Sequence, residues 1–365
     1  MTALALHEFH TSLHARFTEV NGLEAVDHYG DPLKEHAALR AAAGVLDLGF
    51  RSRLCLTGAD RARLLNGQVT NNVKDLAVGQ GCYAALVTAK GKLQSDLNIY
   101  CLAEEFLLDF EPGLTAAITQ RFDKFIIADD VQVVDVAPHF GLLSVQGPRA
   151  GVVIEKIGLG FVLPTTPLSF VRTEDATLGE IYCMNQPRTG TTGFDLFVPA
   201  AALAVVADKL IAAALEVGGG AVGFTALEIA RIEAGIPRFG VDMDETNLAP
   251  EAGIEERAIS YTKGCYIGQE VIARIRTYGQ VARALRGLRL ADDLSALPKR
   301  GDNLYLGDKE IGYVTSAVAS PALKTNVALA YLRRECNQPG TELKLRMAGG
   351  ESAVRVVELP FQSGH

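Results

Sequence analysis

The chain is expected to fold as an α+β protein: two mixed α/β domains followed by a C-terminal antiparallel β-barrel. Three observations predict this. Its 365 residues exceed what one ordinary core accommodates. The order apolar strand, glycine, helix occurs twice, as LCLTGADRARLLNG and as LLSVQGPRAGVVIEKIG, with Gly58 and Gly147 at equivalent places. After residue 283 the texture changes to short alternating stretches with turns between them, which is how a small antiparallel barrel reads. The implied domains are 1–130, 131–282 and 283–365.

The elements follow in order. DPLKEHAALRAAAG predicts a helix ending near Gly44. Thr57 with Asp60 fits a capping signal for TGADRARLLNGQ, and Asn66-Gly67 fits its stop. GCYAALVTAKGKLQSDLNIYCLAEEFLLDF reads as a meander turning at Ala89–Lys92 and at Ala103–Glu105. Pro112 introduces a helix in LTAAITQRFDKFII, and VQVVDV is a strand. The Ala-rich AAALAVVADKLIAAALEVGG and the stretch FTALEIARIEAGIP are helices, the second with Thr225 and Glu228 as a capping box. The terminal QSGH reads as a disordered end.

The bulk chemistry excludes several classes. A net charge of −8 repels phosphate, so direct nucleic-acid binding is not expected. Six scattered cysteines with no CxxC make neither a disulfide framework nor a zinc site. The amino terminus has no long apolar core of a signal peptide, and no apolar run reaches the length of a membrane span. The expected location is therefore the cytoplasm. His7, His10 and His14 share a helical spacing but have no carboxylate in register, so no metal site is expected there.

The strongest local signal is Lys263-Gly264-Cys265-Tyr266-Ile267-Gly268-Gln269-Glu270. Two glycines around a cysteine let backbone approach a ligand or another segment. Lys263 can favour the Cys265 thiolate, and Gln269 and Glu270 add polar groups. The same spacing also fits a turn whose cysteine packs inward. Arginines crowd the region after it, and Arg274 and Arg276 share a side if their segment is a strand; most can pair with the acidic run 242–256. A second constellation is Tyr83 with Lys90, Lys92 and Asp96. An aromatic face beside a carboxylate suits a flat, amide-bearing ring such as a pterin, and equally Tyr83 can be core.

KGCYIGQEVIAR resembles the KGCYxGQE hallmark of YgfZ-type folate-binding proteins, which are relatives of the glycine-cleavage T-protein. ARIEAGIPRFGVDMDETNLAPEAGI, LLNGQVTNNV, AKGK, LLSVQGPRA and IGYVTS are similar to that superfamily in order and spacing. The resemblance implies a three-domain T-protein-like cloverleaf with tetrahydrofolate bound mainly by the first two domains. It implies assembly or repair of iron–sulfur clusters, with iron–sulfur client or assembly proteins as partners and Cys265 as the required residue. By motif position, Asn71, Asn72, Tyr83, Asp96 and Arg231 are implied to line the folate cavity, Arg231 meeting a folate carboxylate.

Departures from the T-protein weigh against its reaction. RTGTTGFDLFVP has no glutamate where the T-protein's segment contacts the pterin, and carries Asp195 instead. Ala226-Leu227-Glu228 lacks an arginine, and Asp96 stands beside Ser95 rather than a second aspartate. Three readings follow: a folate-dependent iron–sulfur maintenance protein, a folate-dependent aminomethyltransferase or demethylase with Asp96 orienting the donor amine, and a non-catalytic scaffold.

Overall fold

The computed structural model describes residues 2–362. The expected disordered end lies, from Ser363 onward, outside the described residues. The chain divides into two compact units, residues 1–84 with 95–228, and residues 85–94 with 229–365.

The first unit holds two mainly antiparallel sheets. One runs in the order Gly81–Val87, Leu93–Cys101, Glu105–Phe110, Ser52–Thr57, Gln132–Asp135. The other runs Phe170–Asp175, Gly179–Asn185, Gly193–Pro199, Phe140–Gln146, Gly44–Asp47, Gly220–Ala221. The predicted meander is therefore present with both its turns. Helices Ala150–Lys156 and Leu203–Glu216 bury their apolar faces on the second sheet, with Val153, Ile154, Val206 and Leu210 in its core.

The strand–glycine–helix pattern is real in both places. Ser52–Thr57 leads through Gly58 to helix Arg61–Gln68, and Phe140–Gln146 leads through Gly147 to Ala150–Lys156. Gly58 has φ +97° and Gly147 φ +124°, and a Cβ there would lie 2.1 Å from the Asp130 carbonyl oxygen or 2.6 Å from that of Ala42. The duplicated glycine is thus required twice over, by backbone conformation and by close approach.

Several local expectations are corrected by tertiary partners. Strand Gly44–Asp47 belongs to the second sheet, pairing with Phe140–Gln146, although it precedes the first. Asp60 flanks its helix without capping it; its carboxylate accepts the Asp130 N–H instead. That helix continues past Asn66-Gly67 to Gln68. Thr225 sits inside helix Phe224–Glu233 and donates its hydroxyl to Asp27 at 2.6 Å. The helix predicted after Pro112 begins at Thr115.

The second unit contains the expected barrel, closed by six strands in the order Arg283–Arg289, Thr325–Arg333, Lys309–Ser320, Asn303–Leu306, Glu342–Met347, Gly350–Val357. Leu288, Val314, Leu332, Leu345 and Val356 fill it. The same unit takes the hairpin tip 85–94 and the KGCYIGQE segment, which sequence alone had put with the second α/β domain. Among the described residues no helix is long and apolar enough to cross a membrane.

Gly22 has φ +85° with nothing within 4 Å of a Cβ, whereas Gly58 adds a collision to its positive φ. Gly22→Ala should cost ~1 kcal/mol, the left-handed penalty alone. Gly58→Ala should cost clearly more, read as the difference in denaturant midpoints at unchanged slope.

Candidate functional site

Tyr83, Asp96 and Asn71 come together on the hairpin formed by Gly81–Val87 and Leu93–Cys101. Tyr83 donates its hydroxyl to Asp96 Oδ2 at 2.8 Å, and Asn71 Nδ2 donates to the Tyr83 carbonyl at 2.8 Å. Tyr83 is half-buried rather than core. Asn72 turns away, donating to Asp75 at 2.7 Å in an exposed turn. Asp96 is partly covered as a residue, yet its Oδ1 is buried and has no hydrogen-bond partner. Burial pushes its carboxyl up to about 6, and the Glu111 charge adds to this; the Tyr83 hydroxyl and the Arg51 charge oppose it.

Beside it lies a buried ionic clasp that joins the two sheets of the first unit. Asp109, on strand Glu105–Phe110, receives Arg51 Nε at 2.7 Å, Arg188 Nη2 at 2.8 Å and Asn98 Nδ2 at 2.9 Å. Arg188 also grips Asp195, on strand Gly193–Pro199, through Nη2 at 2.5 Å and Nε at 2.9 Å. Arg51 Nη1 reaches Glu111 at 2.5 Å. Burial alone would raise the Asp109 carboxyl, but the two guanidinium charges and their hydrogen bonds hold it well below the usual range. Asp195 is therefore committed to Arg188. Sequence reasoning missed Asp109, Arg51 and Arg188. The available signal was Asp109 within the otherwise apolar run FLLDF.

The motif loop belongs to the second unit. Cys265 is exposed, and Lys263 is buried with its ammonium 5.1 Å over the Tyr266 ring. Gln269 and Glu270 open a helix, Gln269–Tyr278, that starts at Gly268. Arg274 and Arg276 are consequently helical and do not share a side as strand residues would; Arg276 stacks 3.8 Å over Tyr261. Of the arginines after the motif, Arg283 pairs with Glu251 at 3.5 Å, while Arg286 and Arg289 bond to carbonyls.

Arg231 is placed differently from expectation. It is buried, donating to Asp242 at 2.5 Å, to the Ile236 carbonyl at 3.1 Å and to Ser316 Oγ at 3.2 Å. Asp242 also accepts the Thr315 and Ser316 hydroxyls, each at 2.6 Å. A ligand carboxylate would have to displace Asp242, so Arg231 braces the second unit. A cleft of about 590 Å³ in that unit, with Gly235, Ile236, Arg286 and Leu359 on its walls, contains none of the sequence-predicted site residues.

Two of the amino-terminal histidines, His7 and His10, have acidic partners. His10 is buried between Asp47, 2.9 Å from its Nε2, and the Tyr29 hydroxyl, 2.8 Å from its Nδ1; His7 contacts Glu24 at 2.7 Å. No cluster of metal-ligating side chains occurs among the described residues, and all six cysteines there are free.

The two sheets of the first unit and the closed antiparallel barrel of the second make this an α+β protein with a C-terminal barrel. Residues 6–263 match the GCVT N-terminal domain and residues 283–362 the Glycine cleavage T-protein C-terminal barrel domain, and the chain belongs to that T-protein family. It is 30% identical to an aminomethyltransferase of Symbiobacterium thermophilum over 98% of this chain and 96% of the relative. It is 31% identical to one of Halalkalibacterium halodurans over 90% and 89%. The crystal structure of glycine cleavage system aminomethyltransferase T from Bartonella henselae shares the fold, with a TM-score of 0.88 at 24% identity over 99% and 98% of the two chains.

Because the Asp96 carboxyl is raised by folding, its effect on stability has a definite sign. Between its ordinary value and about 6 the folded state holds a proton that the unfolded chain has lost, so the stabilisation is full at lower pH and disappears as pH rises through about 6. Asp96→Asn should therefore raise stability at pH 7.5 by roughly 1–2 kcal/mol and leave it nearly unchanged at pH 3.5. Urea unfolding at both values checks this.

Proposed function

We propose that the chain is a reduced-folate-dependent one-carbon transferase of the aminomethyltransferase type, with tetrahydrofolate as the folate. The observation that carries this reading is the buried, unpartnered Oδ1 of Asp96, whose other oxygen is held by the half-buried Tyr83. An unmatched buried acceptor costs roughly 1–3 kcal/mol, a strain kept where function uses it. A reduced pterin fits the residues present. The Tyr83 ring offers it an aromatic face, and an N–H of the ring, or of an amine meeting it there, completes Oδ1. The relatives named above as aminomethyltransferases support the same choice.

The folate supplies a nucleophilic nitrogen that accepts the one-carbon unit. The chain's own residues do the rest. Tyr83 holds Oδ2, so Asp96 presents Oδ1 in one orientation, and Asn71 fixes the Tyr83 backbone. In its charged form Oδ1 would accept a hydrogen bond from the donor's ammonium group and take one proton from it, freeing the nitrogen's electron pair to expel the carbon's other substituent, which leaves with the electrons of the broken bond. Ser95 and Leu227 stand where the T-protein has an acid and an arginine, so turnover with its own aminomethyl donor should be low.

Transfer from an aminomethyl donor to tetrahydrofolate is the test. kcat/KM should rise with pH through a midpoint near 6, as Asp96 becomes charged. Asp96→Asn should remove that limb and lower kcat/KM by about 10²-fold or more. Undiminished transfer by this variant would refute the proposal.

A second reading, the YgfZ-type one, is favoured by one observation: Cys265 in KGCYIGQE is exposed. In it the thiol serves iron–sulfur client or assembly proteins while folate is bound. A single cysteine cannot hold a cluster, which needs about four ligands, so a partner would supply the others. Loss of cluster-enzyme activity in cells carrying Cys265→Ala, with Asp96→Asn harmless, would select this reading.

A further inference from the structure

We propose that the KGCYIGQE motif, through Gly268, forms a cradle for the tip of the hairpin Gly81–Cys101, and so positions Tyr83 and Asp96. The inference rests on the folate reading for what those two residues do, and on the backbone alone for the cradle.

The tip is a tight turn. Gly91 N–H donates to the Thr88 carbonyl and Thr88 N–H to that of Lys92, both at 2.8 Å, and Lys92 N–H reaches Thr88 Oγ1 at 3.2 Å. One flank is fastened to the segment 246–248. Leu93 N–H donates to the Asn247 carbonyl at 3.0 Å, and Lys92 Nζ to that of Thr246 at 2.7 Å. The other flank meets the motif. Gly268 has φ +85°, and a Cβ on it would lie 2.5 Å from the Thr88 carbonyl oxygen, 2.8 Å from Val87 Cγ2 and 3.4 Å from Gly91 Cα. Gly91, at φ +72°, is covered in turn by Val271, whose Cγ1 would be 3.2 Å from a Cβ there. Glycine faces glycine, and no side chain fits between them.

The two glycines of the motif are not equivalent. Gly264 has nothing within 4 Å of a Cβ and does not have a positive φ. Only Gly268 is required by packing. The motif's second glycine thus serves a segment about 180 residues away in sequence rather than a ligand. Tyr83 and Val87 lie on one face of the same strand, four residues apart. A wedge at Gly268 pushes on Val87 and Thr88, and the paired strands carry the shift toward the Tyr83–Asp96 hydrogen bond. Misplacement by about 1 Å is enough to cost 10²-fold in a positioned reaction. Gly268 is a positioning residue in this account.

Three variants of the full chain, Gly268→Ala, Val271→Ala and Gly264→Ala, test it with three readouts. These are hydrogen exchange across residues 81–101, affinity for 5-formyltetrahydrofolate by calorimetry, and the pH midpoint of that binding. Gly268→Ala should speed hairpin exchange, weaken binding ~10-fold, equivalent to about 1.4 kcal/mol, and move the midpoint from near 6 toward the ordinary carboxylate value. Val271→Ala, a truncation that leaves the fold intact, should move all three the same way by less. Gly264→Ala should match the unaltered protein throughout. The cradle is overturned if Gly268→Ala only lowers Tm while exchange and midpoint stay put, or if Gly264→Ala behaves the same way as Gly268→Ala. Should the unaltered protein bind no reduced folate, the folate reading falls, and the exchange comparison still decides the cradle.

Discussion

Asp109 holds two arginines at once, and the arrangement around Asp96 follows from that. Arg51 comes from the first sheet's side and Arg188 from the second's, so the buried carboxylate fastens both halves of the first unit. Removing one partner from such a buried set typically costs 3–5 kcal/mol, because the remaining charge is left unmatched. The clasp is also unbalanced. Arg51 and Arg188 face Asp109, Asp195 and Glu111. Asp96 lies beside this group and feels the Glu111 charge, which Arg51 partly offsets. Its raised proton affinity comes first from burial, and the Glu111 charge of the clasp adds to it.

This places chemistry and architecture in one network. The hairpin with Tyr83 and Asp96 is bonded at its base to the clasp strand, where Asn98 faces Asp109. Its tip is enclosed by the segment 246–248 and by the KGCYIGQE loop. Family membership fixes the general frame. Cys265 is exposed on that loop, separate from the packing that Gly268 performs.

Much of the fold was legible because local pattern and tertiary structure agree. The meander and barrel strands carry alternation on half-buried surfaces, and Gly58 and Gly147 mark two equivalent turns. Where reading failed, a distant partner had taken the group. Thr225 looked like a cap and instead bonds Asp27, and Asp60 serves Asp130. The segment after Gly268 mixes β-branched and charged residues, yet the left-handed glycine starts a helix there. Tyr83, Asn71 and Asp96 could be chosen from sequence because one hairpin brings them together. Arg231 could not be judged, since its partner Asp242 is recognisable only once the loop is folded. Asp109 left a trace in its apolar strand, but the pairing did not, because the clasp's members lie at positions 51, 109, 111, 188 and 195 and meet only through sheet packing.

Asp96 holds its proton far above an ordinary aspartate because it is buried, and the Glu111 charge beside it adds to the effect. A direct titration of its side-chain carboxyl by carbon NMR, in the protein without ligand, addresses this. The expected midpoint is near 6. A midpoint near the ordinary aspartate value of about 3.9 would contradict it.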